Sequence, residues 1–426
     1  MSKKTKRIAY GVQVFIIVVA VIGVLFGAYR YLERKKDHAT PVAKATQEAF
    51  SKEPATSVGT KKASEPTEEE STQEEATTPF IDIVAVGDNL IHYSIALSGK
   101  KDDGKWDYSQ LYSPMKSIIQ EADIAIINQE VPMAGEEFGI QKYPRFNVPQ
   151  EMVKDIVALG FDVATFATNH MLDQGRQGLL NTLNYWNEAY PDILTTGAYT
   201  SKEKRDEIPY KTVKGKKIAF LNYTYGTNQG GINNDTYLLN FMKEELLRAD
   251  VARAKEMCDF VIVCMHWGCD GAMAFDEKQR EYARICADAG VDVVIGTHPH
   301  IVHNVEVVTA ESGHRTLVYY SLGNFVSLQD RPERMIAGIA KLRLEIVKEG
   351  MVEKLVINEY SMDYAIMHYE YNAEIPAYYE MTVYPYETYT EELARKHGLH
   401  NLGSHFSMEF IQSFVQSLGE TSGSWR

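Results

Sequence analysis

From Phe80 onward the chain repeats one arrangement: a stretch with helical spacing, an acidic residue, a short apolar run, then polar residues. It occurs in KSIIQEADIAIINQE, VKDIVALGFDVATFATNH, ARAKEMCDFVIVCMHWG and YARICADAGVDVVIGTHPH. The runs IAII, VATF, FVIV and VVIG are too short for helices and rich in branched residues, so they read as buried strands. The segments before them place residues such as Val153, Ile156 and Val157 on one helical face. Near-continuous apolar strands alternating with amphipathic helices need cover on both faces, and the predicted class is α/β with a parallel or mixed sheet.

Two further runs, IDIVAVGDN and TLVYYSLGN, end in the same polar fashion. YKTVKGKKIAFLNY, with a Lys-Gly turn, and AKLRLEIVKEGMVEKLVINEY, turning at Glu349 and Gly350, predict antiparallel hairpins that extend the sheet into a two-layer sandwich. After residue 365 the pattern changes to a tyrosine-rich stretch and then to an amphipathic SMEFIQSFVQSL. Residues 80–365 are therefore read as the main domain and 366–426 as a C-terminal appendage.

The N-terminal part follows other rules. Ile8 to Tyr29 carries no charge, and at about 1.5 Å per helical residue it is long enough for a hydrocarbon core of about 30 Å. The run exceeds a usual signal-peptide core and no small-residue cleavage site follows, so residues 1–36 read as an N-terminal tip with an uncleaved transmembrane signal-anchor. Basic residues flank it on both sides and leave its orientation open. Residues 37–79, rich in Thr and Glu and poor in aromatic and branched side chains, read as a disordered linker.

Charge narrows the function. The net −14 of the whole chain divides into a basic N-terminus and a strongly acidic remainder, −16 over residues 80–426. Nucleic acid is excluded as a partner, because its binding rests on Lys and Arg neutralising phosphates. Cys258, Cys264, Cys269 and Cys286 show no CxxC spacing and read first as small buried hydrophobes, with a disulfide or thiolate ligand as the alternative.

Each apolar run terminates in residues able to bind or polarise: Asp88; Asn128 and Glu130; Asn169 with His170; His266; His298 with His300; and Asn324. Sites in open α/β sheets form outside the carboxyl ends of the strands, so these groups are expected on one rim. In GTHPHIVHN an extended backbone is expected to point His298 and His300 the same way, with His303 out of phase. Asp88, Glu130, Asn169, His266, His298 and His300 make a mixed carboxylate, amide and imidazole set suited to Mn, Zn or Fe. Six candidate ligands exceed the needs of one ion and fit a carboxylate-bridged pair that activates water for hydrolysis. His170 can then serve as a general acid. Taken singly, each of these residues also fits a core histidine, a helix cap or a turn asparagine.

VGDNLIH, NQE, FDVATFATNHMLDQG, HWGCD, GVDVVIGTHPHIVHNVE and YYSLGNF, in this order, resemble the CapA/PgsA family of poly-γ-glutamate capsule proteins, within the calcineurin-like metallophosphoesterase superfamily. The resemblance runs from about Ile81 to Val326. It implies a four-layer αββα sandwich, a folded domain outside the membrane, and the same six metal ligands. Asp173 and Asp270 match acidic family positions on the substrate side or behind the ligands, and they join His170 as catalytic candidates. Leu90 stands where phosphoesterases place a metal-binding histidine, with His92 two residues further on. The expected function is a membrane-anchored, metal-dependent hydrolase serving poly-γ-glutamate or a related anionic polymer, drawn in by its metal cleft and by cations such as Arg145. The alternatives are an accessory subunit of a polymer synthase or exporter, and a generic phosphodiesterase.

Overall fold

The computed structural model describes residues 80–230, 232 and 235–425. The expected membrane span at 8–29 and linker at 37–79 lie outside the described residues. Among the described residues no helix is long and apolar enough to cross a membrane.

Two mixed sheets form the core, in accord with the α/β reading. The first holds β1 (Phe80–Asn89), β2 (Ile124–Gln129), β3 (Val163–Thr165) and β4 (Leu194–Thr196), all parallel. The antiparallel strands β12 (Ile336–Glu349), β13 (Val352–Asn372) and β14 (Ala377–Pro385) extend it beyond β1. The second sheet runs β5 (Tyr210–Val213), β6 (Lys216–Thr224), β7 (Phe260–His266), β8 (Val293–Thr297), β10 (Arg315–Tyr319), β9 (Val305–Thr309). Both expected hairpins are present, β5–β6 and β12–β13.

Period-two alternation places the second sheet between two apolar layers. Ile218, Phe220, Ile262, Cys264, Val293, Ile295, Leu317 and Tyr319 share one core with the strands of the first sheet. Their neighbours Ala219, Leu221, Val261, Val263, Val294 and Val318 pack instead on helices Glu244–Met257 and Glu277–Ala289. The second of these helices starts at a capping box formed by Asp276 and Gln279 and stops at Gly290, whose φ of 87° is left-handed. Helices Met152–Leu159 and Gly175–Ala189 link the parallel strands of the first sheet and bury Met152, Val153, Ile156, Leu179, Leu183 and Trp186 in its core.

The domain boundary expected at 365 falls inside β13, which continues to Asn372 and pairs with β14. The tyrosine-rich segment is thus a continuation of the sheet, and beyond Pro385 come short helices and a two-residue strand, Gly423–Ser424, that pairs with β13. Cys264 and Cys286 are buried, Cys258 is half-buried and Cys269 is exposed, all as free thiols. Burial pushes the Cys264 and Cys286 thiols up to about 12, as befits small hydrophobes.

One strand arrangement sets up the site. β1 pairs with β12 up to Val86 and then, past Gly87, with the short β11 (Asn324–Val326). This change of partner sets Asp88 between Asn324 on one side and Asn128 of β2 on the other.

Candidate metal centre

The strand ends converge as the sequence pattern requires. Asp88 is the last residue but one of β1, Glu130 follows β2, His266 ends β7, and His298 and His300 follow β8. Asn169 and His170 come from the loop after β3. All are buried.

Two groups have ligand atoms close enough to hold an ion, Glu130 with His266 and His298, and Asp88 with Glu130 and His300. Glu130 belongs to both. Asn169 joins the first group: its Oδ1 lies 2.8 Å from His266 Nε2, while His266 Nδ1 meets Thr297 Oγ1 at 3.0 Å. In the second group His300 Nδ1 lies 3.1 Å from Asp88 Oδ2 and 2.9 Å from Asn324 Oδ1. The first thus draws on four residues and the second on three.

The surrounding bonds fix these groups. Asn128 Nδ2 donates to Asp88 Oδ1 at 2.8 Å, and Thr165 Oγ1 donates to Asn128 Oδ1 at 2.8 Å. The His298 backbone N–H donates to Asp88 Oδ2 at 3.1 Å. Thr168 Oγ1 holds the Glu130 carbonyl at 2.7 Å.

The expected extended backbone at His298 and His300 is corrected by the structure. β8 stops at Thr297, and the two histidines sit in a turn with φ of 96° and 61°. Left-handed backbone is disfavoured for residues with a Cβ, and such strain is held where the surroundings enforce it. The rings still reach one side, with centroids 5.8 Å apart, because the turn folds them together. Gly296 permits it: a Cβ there would lie 2.1 Å from the Tyr320 carbonyl oxygen and 2.7 Å from Trp267 Nε1.

The donor set fits divalent metal. Both carboxylate oxygens of Glu130 and the Nδ1 of His298 are buried without a hydrogen-bond partner. Such atoms are costly in the absence of a partner, and a cation supplies one. Burial, reinforced by the negative charges of Asp88, Asp270 and Asp173, raises the Glu130 carboxyl well above its ordinary range. Burial also holds the His266 and His298 imidazoles well below theirs, which keeps them neutral and able to bind metal.

The remaining predicted residues occupy different places. His170 Nδ1 donates to Asp173 Oδ2 at 2.7 Å, and that oxygen also accepts from the Phe146 N–H at 2.9 Å. Asp173 is fully buried behind His170. Asp270 lies at the exposed rim, bound to Arg334 at 2.7 Å. His303 is outside both ligand groups and contacts the Ala272 carbonyl at 2.9 Å.

Some residues at the site are not among the sequence candidates. Tyr225 packs against His298 with ring centroids 4.5 Å apart and planes tilted by 41°. Burial and the Glu130 charge push its phenol up to about 12, opposed by a hydrogen bond from Asn169. Asn228 Nδ2 approaches the His170 ring at 3.3 Å. His92 packs edge-on against Phe146, which in turn packs against His170, and burial brings His92 down to about 4. The Leu328 N–H donates to its Nδ1 at 3.2 Å, and His92 is in neither ligand group. Leu90 is buried in the core.

The family model described as Bacterial capsule synthesis protein PGA_cap matches residues 82–329. The chain belongs to this family. It is 30% identical over 219 residues to the PGA biosynthesis protein CapA of Bacillus subtilis (strain 168), covering 51% of this chain and 56% of that protein. It is 31% identical over 182 residues to the capsule biosynthesis protein CapA of Bacillus anthracis, covering 42% and 43%. The chain thus spans about half the length of these two relatives. A probable polyglutamine synthesis accessory protein of Mycobacterium tuberculosis (strain ATCC 25618 / H37Rv) is 23% identical over 293 residues, 59% of this chain and 75% of that protein. Among solved structures, a putative 5'-nucleotidase from Staphylococcus aureus aligns with a TM-score of 0.43 and 16% identity over 66% of this chain and 54% of that one.

Proposed function

We propose that the chain is a metal-dependent hydrolase-like enzyme of capsule synthesis, acting on poly-γ-glutamate or a related anionic envelope polymer. In this reading residues 8–29 anchor it in the membrane and the folded part lies outside. Its two sheets form the αββα sandwich of the calcineurin-like metallophosphoesterases. The observation that carries the proposal is Glu130, a buried carboxylate with no hydrogen-bond partner, shared by two ligand groups.

Asn169, His266 and His298 would hold one ion, Asp88 and His300 the other, with Glu130 common to both. Bound there, two ions of Mn, Zn or Fe supply Lewis-acid polarisation of the scissile group and of water. The rest is done by side chains. Asp173 fixes the His170 ring through Nδ1, which leaves Nε2 to deliver a proton to the leaving group. Phe146, whose N–H holds Asp173, also packs 4.9 Å from the His170 ring and limits its rotation. Asp173 is therefore a positioning residue, and Asp270 acts at the rim, next to where substrate enters.

Leu90 favours a second reading. With an apolar side chain where a ligand is expected, the three-residue group is the weaker of the two, as in an accessory subunit that binds polymer for a synthase or exporter without cleaving it. Metal analysis of the purified protein, then a polyglutamate cleavage assay on wild type, His170→Ala and His298→Ala, separates the two. Bound metal and release of γ-glutamyl fragments, abolished in both variants, supports the hydrolase. Metal bound without turnover on polyglutamate or phosphodiesters moves the function to the accessory subunit, and a metal-free wild type rejects the centre.

A further inference from the structure

A chain of net charge −16 over residues 80–426 repels a polyanion at long range, so attraction must come from local cations near the centre. Arg334 is such a cation. Its side chain is only 15% exposed, whereas its ion-pair partner Asp270 is 58% exposed. Asp270 Oδ1 meets Nη2 alone, at 2.7 Å, and Nε is buried with no partner. Nε and Nη2 form one edge of the guanidinium, the edge that accepts both oxygens of a carboxylate side by side. Half of that edge is in use.

The surroundings are built to hold it. Gly271, at φ 71°, would set a Cβ 2.4 Å from Arg334 Nη2, so the loop approaches the guanidinium only because it lacks a side chain. The same loop is tied to the metal-site turn by the Gly271 N–H donating to the Pro299 carbonyl at 2.9 Å, and by His303 reaching the Ala272 carbonyl at 2.9 Å. Arg331 Nη1 donates to the Gly271 carbonyl at 3.3 Å. On its other side the Arg334 carbonyl accepts from Asn324 Nδ2 at 3.1 Å, and Asn324 Oδ1 touches His300.

We propose that Arg334 is the carboxylate-reading group of the site, and that Asp270 occupies it as an internal stand-in which a substrate carboxylate displaces. A free carboxylate of the polymer, next to the bond held at the centre, takes both Nε and Nη2, and Asp270 swings into solvent. The inference rests on the proposed anionic substrate and adds the residue that selects it. It also explains why a nearly buried cation keeps an exposed partner: an internal competitor suppresses weak or isolated carboxylates and yields to one delivered by a polymer already bound at the centre.

The test is binding by the purified full-length chain, with a fluorescent γ-linked glutamate oligomer and its α-carboxamide counterpart as probes, in wild type, Arg334→Gln and Asp270→Asn. One charge-assisted bidentate contact is expected to make Arg334→Gln bind the acidic oligomer about tenfold or more weakly, with no change for the amide. Asp270→Asn, which keeps a hydrogen-bond acceptor beside Arg334 and removes the charge, is expected to bind the acidic oligomer more tightly, by about threefold or more. Equal preference for acid over amide in all three proteins overturns the inference and leaves the proposed hydrolase untouched. The expected pattern without any cleavage sustains the inference while the hydrolase reading fails. Asp270→Asn binding more weakly than wild type also overturns it, since Asp270 would then be an ally of the substrate.

Discussion

Replacing Glu130 by Gln tests the metal centre through stability, without reference to any substrate. In metal-free protein the Glu130 carboxyl, buried beside Asp88, holds its proton well above the ordinary value of 4.5. The folded state therefore keeps a proton that the unfolded chain releases, and stability falls as pH rises from 4.5 through the raised value. At about 1.36 kcal/mol per pH unit, wild type at pH 7 forgoes up to about 3 kcal/mol that the amide variant, with no charge to suppress, retains. Unfolding entropy of about 2.1 cal/mol/K per residue over about 350 residues makes each kcal/mol worth about 1.4 °C, so the variant melts higher, by at most about 5 °C. The gap closes near pH 4.5. Added Mn or Zn reverses the order: at about 1,000 times its Kd an ion would raise wild-type stability by about 4.1 kcal/mol, more than the deficit, whereas the Glu130→Gln variant lacks the carboxylate common to both ligand groups. Thermal melts of both proteins in chelator from pH 4.5 to 8, repeated with each ion, supply the readout. Coincident melts at pH 7 in chelator, or a gap that widens toward acid, refute the reasoning.

Other perturbations follow from sites outside the ligand set. Arg205 pairs with buried Asp250 through Nη2 at 2.6 Å and Nη1 at 3.3 Å, with Tyr223 and Arg253 also bound to that carboxylate. Arg205→Met strands the charge and costs about 3 kcal/mol in urea unfolding, the low end for a broken buried pair because two partners remain, with metal stoichiometry unchanged. Burial lowers His397 to about 3 and His368 to about 4, so each is neutral when folded. Their contribution is complete above pH 6.5 and lost as pH falls toward those values. At pH 5 each costs up to about 2 kcal/mol, and His397→Gln flattens the fall in urea midpoint between pH 7 and 5 by one proton's worth. Gly296→Ala drives a Cβ into the Tyr320 carbonyl, shifts the turn bearing His298 and His300, and weakens metal binding by about tenfold or more in a competitive chelator titration.

Much of the site was legible because strand ends are a local signal. An apolar run announces a buried strand, and the first polar residues after it are delivered to the carboxyl edge of the sheet whatever the strand order. That logic placed Asp88, Glu130, Asn169, His266, His298 and His300 together and set His303 aside. It passed over Tyr225, the first residue after β6, because a tyrosine there reads as the end of the apolar run, and Arg334, which lies in a short helix away from any carboxyl strand end. The domain boundary expected at 365 followed the change of composition there, yet β13 runs through it, since backbone pairing with β12 and β14 does not depend on composition.

The sequence by itself determined the element types, the acidic character of residues 80–426 and the ligand chemistry, because periodicity, charge and side-chain identity are properties of single segments. Only the tertiary structure decided that Glu130 is common to both ligand groups, that Asp173 stands behind His170 while Asp270 stands at the rim, and that His298 and His300 meet through a left-handed turn. These depend on register between strands more than two hundred residues apart in the chain, such as Asp88 and Asn324 side by side past Gly87. A local pattern fixes what each strand end carries. Sheet register and the close approach that glycine allows fix which of those ends touch.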